Sequence, residues 1–138
     1  MNLIMTGIDF VHAPMAQRER VSFVRGQVQA LLPELARMPG VAGCVLLATC
    51  NRTELYVHGE EGALLDPLAM LARAAGFDAA SFRGLSVTRA DKACVQHLMA
   101  VAAGLESQIF GDDQILTQVR DAAALAREAQ TTDSVLDT

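Results

Sequence analysis

The stretch "VAGCVLLATCNRTELYVHG" (residues 41–59) decides the fold. Residues 41–50 are almost all apolar and read as a buried strand, "NRT" (51–53) as a tight connection, and "ELYVHG" (54–59) as the returning strand. The result is a hairpin with Cys50 beside its turn and Arg52 two residues on. A cysteine at a strand end has rigid backbone behind it and open space ahead, which is where nucleophiles are often placed. The thiolate is the reactive species, and a neighbouring cation favours it. Arg52 would supply that cation, or clamp a carboxylate bidentately. On pattern alone, the alternative of a small buried core residue stays open for Cys50. Cys44 and Cys94 fit that alternative better, because each lies inside an apolar run.

Outward from the hairpin, "NLIMTGIDF" (2–10) alternates as a first strand, and Pro14 suits a loop or helix start. Val21, Val24, Val28 and Leu31/Leu32 recur at spacings of three and four, which predicts one amphipathic helix over 17–32, closed by Pro39 and Gly40. A second helix over 62–75 ends at Gly76, and "LSVTR" (85–89) reads as a short last strand. The order β-α-β-β-α-β predicts an α+β, ferredoxin-like fold: an antiparallel sheet with helices on one face. Two further helices follow. The first, 91–104, carries Cys94, His97/Leu98 and Val101 on one side. In the second, 112–130, Asp112 or Asp113 suits the N-terminal cap, and Ile115, Val119, Ala122 and Ala126 share a face. Gln114 and Gln118 lie one turn apart on a neighbouring face. This Ala-rich helix has no evident partner in the sequence.

Composition narrows the function classes. With 138 residues, 51% of them hydrophobic, the chain can bury one real core and little more. A net charge of -5 offers a polyanion no general attraction, and Arg18, Arg20 and Arg25 form the only tight basic group, which reads as a solvated helix face. Three cysteines without CxxC spacing make neither a disulfide framework nor a metal site, and His12, His58 and His97 share no ligand spacing. The N-terminus lacks the basic region of a secretion signal, and no apolar run approaches the roughly 20 residues of a membrane span. A soluble cytoplasmic setting with free thiols is expected. Neither GxGxxG nor GxxxxGK[ST] occurs.

Two polar features remain. His97 alone reads as a satisfied boundary histidine. "ESQIFGDDQ" (106–114) is either a helix cap or a polar pocket at a helix start that would hold a small zwitterion, and the pattern does not choose between them.

Taken together, the motifs resemble one family. "LLATCNRTELY" (46–56) closely resembles the active-site signature of glutamyl-tRNA reductases, and "HLMAVAAGLESQIFGDDQILTQV" (97–119) resembles that family's second hallmark. "GIDFVHAPMAQRER" (7–20) is a looser match to its N-terminal segment. The resemblance implies that Cys50 attacks the ester of glutamyl-tRNA and holds glutamate as a thioester. NADPH then reduces the thioester to glutamate-1-semialdehyde, the precursor of tetrapyrroles. It implies substrate-binding roles for Thr49, Asn51, Arg52, Ser107, Asp112, Asp113, Gln114 and Gln118, with Arg52 the carboxylate partner, and a role for His97 beside the thioester. It further implies residues 1–104 as the catalytic domain, and 105–138 as a substrate-binding loop and the start of a long spinal helix. The NADPH-binding and dimerisation domains would lie beyond this chain. The partners implied are glutamyl-tRNA, a second copy of the full-length protein and glutamate-1-semialdehyde aminomutase, with no metal and no membrane. Asp112 stands where the family usually has Glu, and "DFVH" (9–12) departs from its usual run.

Two other functions compete. One is a stand-alone, reductase-derived module that binds glutamyl-tRNA or transfers glutamate without reduction. The other is a non-enzymatic ferredoxin-like interaction domain.

Overall fold

The hairpin of residues 41–59 forms as two strands, β2 (Val41–Ala48) and β3 (Arg52–Gly59), paired antiparallel from Val41↔Gly59 to Ala48↔Thr53. The structure is a computed structural model that describes residues 2–105, 114–133, 135 and 136. Around the hairpin lie β1 (Leu3–Asp9), α1 (Met15–Glu19), α2 (Arg25–Ala36), α3 (Pro67–Ala75), a 3-10 turn (Ala79–Leu85), β4 (Ser86–Ala90), α4 (Asp91–Ala102) and α5 (Gln114–Glu128). The strand order is β2-β3-β1-β4 with every neighbouring pair antiparallel. This is the expected ferredoxin-like sheet.

Strand alternation divides the side chains between two faces. Cys44, Leu46, Leu55 and Val57 pack against Val28, Leu31, Leu32 and Leu35 of α2 and Met70 and Leu71 of α3. The two helices of the βαββαβ unit therefore share one face, as predicted. The other face is also covered: Leu3, Met5 and Tyr56 meet Cys94 of α4, and Leu47 meets Val101, Ile115 and Ala122.

Two expectations are corrected. The stripe over 17–32 is not one helix. The chain breaks between α1 and α2, where Thr53 Oγ1 donates to the Val21 carbonyl at 2.8 Å and Val24 is extended, its N–H held by Gln27 Oε1 at 2.8 Å. Val21 instead packs with Ile8, Leu68 and Phe82. Nor does α5 lack a partner: Leu125 and Ala126 join the α2–α3 core while Ile115 and Ala122 join the α4 side, so it straddles the sheet at β2. After Gln130 (φ 59°), Thr131 lies along β2, accepting from the Cys44 N–H at 2.7 Å and donating Oγ1 to the Cys44 carbonyl at 3.0 Å.

Helix α3 has defined ends. Asp66 caps it by accepting from Ala69 N–H at 3.2 Å, and Gly76 closes it in the left-handed region at φ 83°. The Arg83 guanidinium pairs with Asp66 and holds its carboxyl below the usual carboxylate range. A carboxyl depressed in the folded state stabilises fully above its unfolded pKa and loses that contribution as pH falls through the folded one. Asp66→Ala is expected to lower unfolding stability by about 1 kcal/mol. Asp66→Asn keeps the cap and should cost less at neutral pH, with its gap from wild type closing in acid. Denaturant titrations at neutral and acidic pH check both.

Candidate active site

The turn between β2 and β3 is held by Thr49. Its backbone N–H donates to the Arg52 carbonyl at 2.8 Å, and its Oγ1 accepts from the N–H groups of Asn51 and Arg52, both at 3.2 Å. The Asn51 carbonyl accepts from Phe10 N–H at 2.9 Å, which ties the turn to the loop after β1. In that loop, Asp9 Oδ1 accepts from the N–H groups of Val11 and His12 and contacts His12 Nδ1 at 2.8 Å. With both its neighbours engaged, Cys50 is presented on a fixed backbone at the hairpin tip.

Among the three cysteines, Cys50 is exposed while Cys44 and Cys94 are buried. Burial pushes the Cys44 thiol up to about 11, and burial followed by the Glu54 charge pushes Cys94 up to about 12. Both stay protonated at neutral pH and belong to the core. Cys50 borders a cleft of about 240 Å³, lined also by Ile8, Thr49, Arg52 and Thr53 and walled by Met15, Arg18 and Glu19 of α1.

Arg52 turns inward and is 3% exposed. Its Nη1 donates to Glu54 Oε2 at 3.1 Å. The same carboxylate oxygen is 2.6 Å from His97 Nε2, and Oε1 accepts from the Tyr56 hydroxyl at 2.7 Å. Because a carboxylate only accepts, Nε2 carries a proton and donates it to Glu54. Burial, then the Glu54 charge, pushes the Tyr56 phenol upward, so it stays a donor. Arg52, Glu54 and Tyr56 alternate down one face of β3 beneath α4, which brings His97 across 43 residues of sequence.

Glu54 and Tyr56 were missed by sequence reading. The signal was the alternation of Arg52, Glu54 and Tyr56 against Thr53, Leu55 and Val57, which looks like an ordinary wet face until α4 covers it. Gly7 is part of the arrangement, since a Cβ there would stand 2.8 Å from Glu54 Cγ.

The structure thus clusters Thr49, Cys50, Asn51 and Arg52 at the turn and joins Arg52 to His97 through Glu54. Gln114 opens α5 and is exposed. Gln118 lines a separate groove with Phe23, Arg25, Ala48 and Asp121. Ser107, Asp112 and Asp113 lie outside the described residues. Among the described residues no group of three or more His, Cys, Asp or Glu is arranged to hold a metal, and no helix is long and apolar enough to cross a membrane. A concavity of about 680 Å³ lies at the opposite end of the hairpin around residues 58–64, away from this chemistry.

Comparison with known proteins shows the family. The family model described as glutamyl-tRNAGlu reductase, N-terminal domain, matches residues 6–138. The chain belongs to this family. Glutamyl-tRNA reductase from Acetivibrio thermocellus is 44% identical over 137 residues, spanning 99% of this chain and 41% of that protein. The glutamyl-tRNA reductase of Moorella thermoacetica is 41% identical over 140 residues, spanning all of this chain and 32% of its own length. The solved glutamyl-tRNA reductase from Methanopyrus kandleri superposes with a TM-score of 0.77 at 29% identity, over 97% of this chain and 30% of that one. The chain therefore spans well under half the length of these reductases.

Two outcomes follow for this N-terminal domain. Brief iodoacetamide treatment near pH 8 should add one label, on Cys50, in the folded protein and three labels in denaturant, as read by intact mass. Glu54→Ala removes the buried carboxylate shared by Arg52, His97 and Tyr56 and should cost about 3–5 kcal/mol in a denaturant titration.

Proposed function

We propose that this chain performs the acyl-transfer half of the glutamyl-tRNA reductase reaction. The observation that carries the reading is the pairing of one exposed thiol, Cys50, with a buried Arg52–Glu54–His97 chain that begins two residues away. The Cys50 sulfur, as thiolate, attacks the carbonyl carbon of the ester joining glutamate to the terminal ribose. The tetrahedral intermediate collapses by breaking the carbon–oxygen bond, the ribose hydroxyl takes up a proton, and glutamate remains as a thioester. Arg52 serves the substrate carboxylate, its guanidinium plane set by Glu54. His97, held at Nε2 by Glu54, is the group assigned to proton transfer by family likeness. Thr49 and Asn51 keep the turn in shape, while Gln114, Gln118, Ser107, Asp112 and Asp113 complete the substrate-binding set by family likeness.

Reduction of the thioester by NADPH belongs to the same proposal for the longer protein. A dinucleotide site needs a Gly-rich strand-to-helix turn at the edge of a parallel sheet. The described residues form an antiparallel sheet without such a turn, so they do not fit the cofactor and no hydride step is assigned to them. The partition into a catalytic part (1–104) and a linker-helix start (105–138), the homodimer, the aminomutase partner and the cytoplasmic setting rest on family likeness.

Intact mass spectrometry after brief incubation with glutamyl-tRNA tests the reading. The expected result is a glutamyl adduct on the wild type, removed by hydroxylamine and absent from Cys50→Ser. If no adduct forms and the tRNA is deacylated no faster than in buffer, the chain is a binding module instead.

A further inference from the structure

The hairpin tip has two sides. Arg52, Glu54 and His97 lie on the α4 side of the sheet. The cleft bordered by Cys50 is reached from both: Arg52 lines it together with Ile8 and Thr53, opposite Arg18 and Glu19 of α1. The chemistry proposed above uses Cys50 and Arg52 and leaves Arg18, in the same cleft, unexplained. Arg18 Nε is shut off from solvent and meets no acceptor among the described residues. A buried guanidinium N–H without an acceptor is unfavourable, and in a side chain that lines a cleft it calls for an acceptor brought by what binds there. Its neighbours do other work: the Arg20 guanidinium stacks over the Phe82 ring at 5.3 Å, and Arg25 lines the Gln118 groove. Glu19, exposed, is the one acidic side chain bordering the cleft.

An ester under attack by Cys50 has its acyl group on one side of the carbonyl and the ribose on the other. With the glutamyl group toward Arg52 and His97, the ribose points towards α1, and the anions attached to that ribose chain are phosphates. We propose that Arg18 binds a backbone phosphate of the tRNA acceptor end beside the ester that Cys50 attacks. A guanidinium suits this task because its planar fork matches phosphate oxygens. The contact positions the leaving nucleotide and takes no part in bond making. It also gives an acidic domain a local foothold for a polyanion.

This inference rests on acylation of Cys50 by glutamyl-tRNA, and its test separates the two. Initial rates of adduct formation are compared for wild type, Arg18→Gln and Arg18→Lys with glutamyl-tRNA and with 3′-O-glutamyl-adenosine, which has the ester and ribose but no phosphate. Arg18→Gln should raise the half-saturating tRNA concentration roughly tenfold with an unchanged maximal rate. It should also flatten the log–log salt dependence by about one. With glutamyl-adenosine it should match wild type, and Arg18→Lys should recover part of the tRNA affinity. Equal losses on both substrates would place Arg18 on the glutamyl group, the thiol or the fold, and overturn the inference, as would no loss on either. If wild type forms no adduct with either substrate, the acyl-transfer reading itself fails first.

Discussion

The carboxylate of Glu54 lies out of water between three donors, the Arg52 guanidinium, the His97 imidazole and the Tyr56 hydroxyl. A charge buried without partners is prohibitively unfavourable, so the arrangement exists only as a set. Arg52 neutralises Glu54, Glu54 accepts from His97 Nε2, and Tyr56 occupies the remaining oxygen. The set also dictates features with no chemistry of their own. Position 7 must lack a Cβ, and α4 must lie across β1 and β3 closely enough to bring His97 within 2.6 Å. Sheet, covering helix and reactive end are in this way coupled through a single side chain. In such a network the pairwise contributions are not separable.

Much of this was legible beforehand, for physical reasons. The hairpin follows from an apolar run, a polar break and an alternating run. The end of α3 at Gly76 follows from a residue that tolerates positive φ. Cys50 and Arg52 stood out because a cation beside a strand-end thiol is unusual. The misreadings came from tertiary contacts that periodicity does not encode. Val21 continues the spacing of α2, yet its carbonyl is taken by Thr53, 32 residues away, and the helix breaks there. The polar alternation along β3 is the same whether water or α4 covers that face, so the pattern did not single out Glu54. The partner of α5 was invisible because it is a sheet edge built some seventy residues earlier.

The division of labour at the hairpin tip has the same origin. Alternation along β3 sends Arg52 and Glu54 to one face and Thr53 to the other. Cys50, in the turn, belongs to neither face and can meet groups from both. A nucleophile inside a strand would have been committed to one side of the sheet.

The two outer strands of the sheet are treated unequally. On β2, the outward N–H and carbonyl of Cys44 are both taken by Thr131, and a side chain at Gly43 would run into the Thr131 carbonyl oxygen at 3.0 Å. On β4, defence is left to brevity and charge: five residues, with the exposed Arg89 folded onto the Thr88 carbonyl. An uncovered outer strand is a template for any extended chain that drifts past. β2 is the long, apolar one, so the strap that follows α5 acts as a guard against templated aggregation. A chain cut before Thr131 would keep its sheet and every residue at the hairpin tip, yet would offer a sticky eight-residue ribbon to its neighbours.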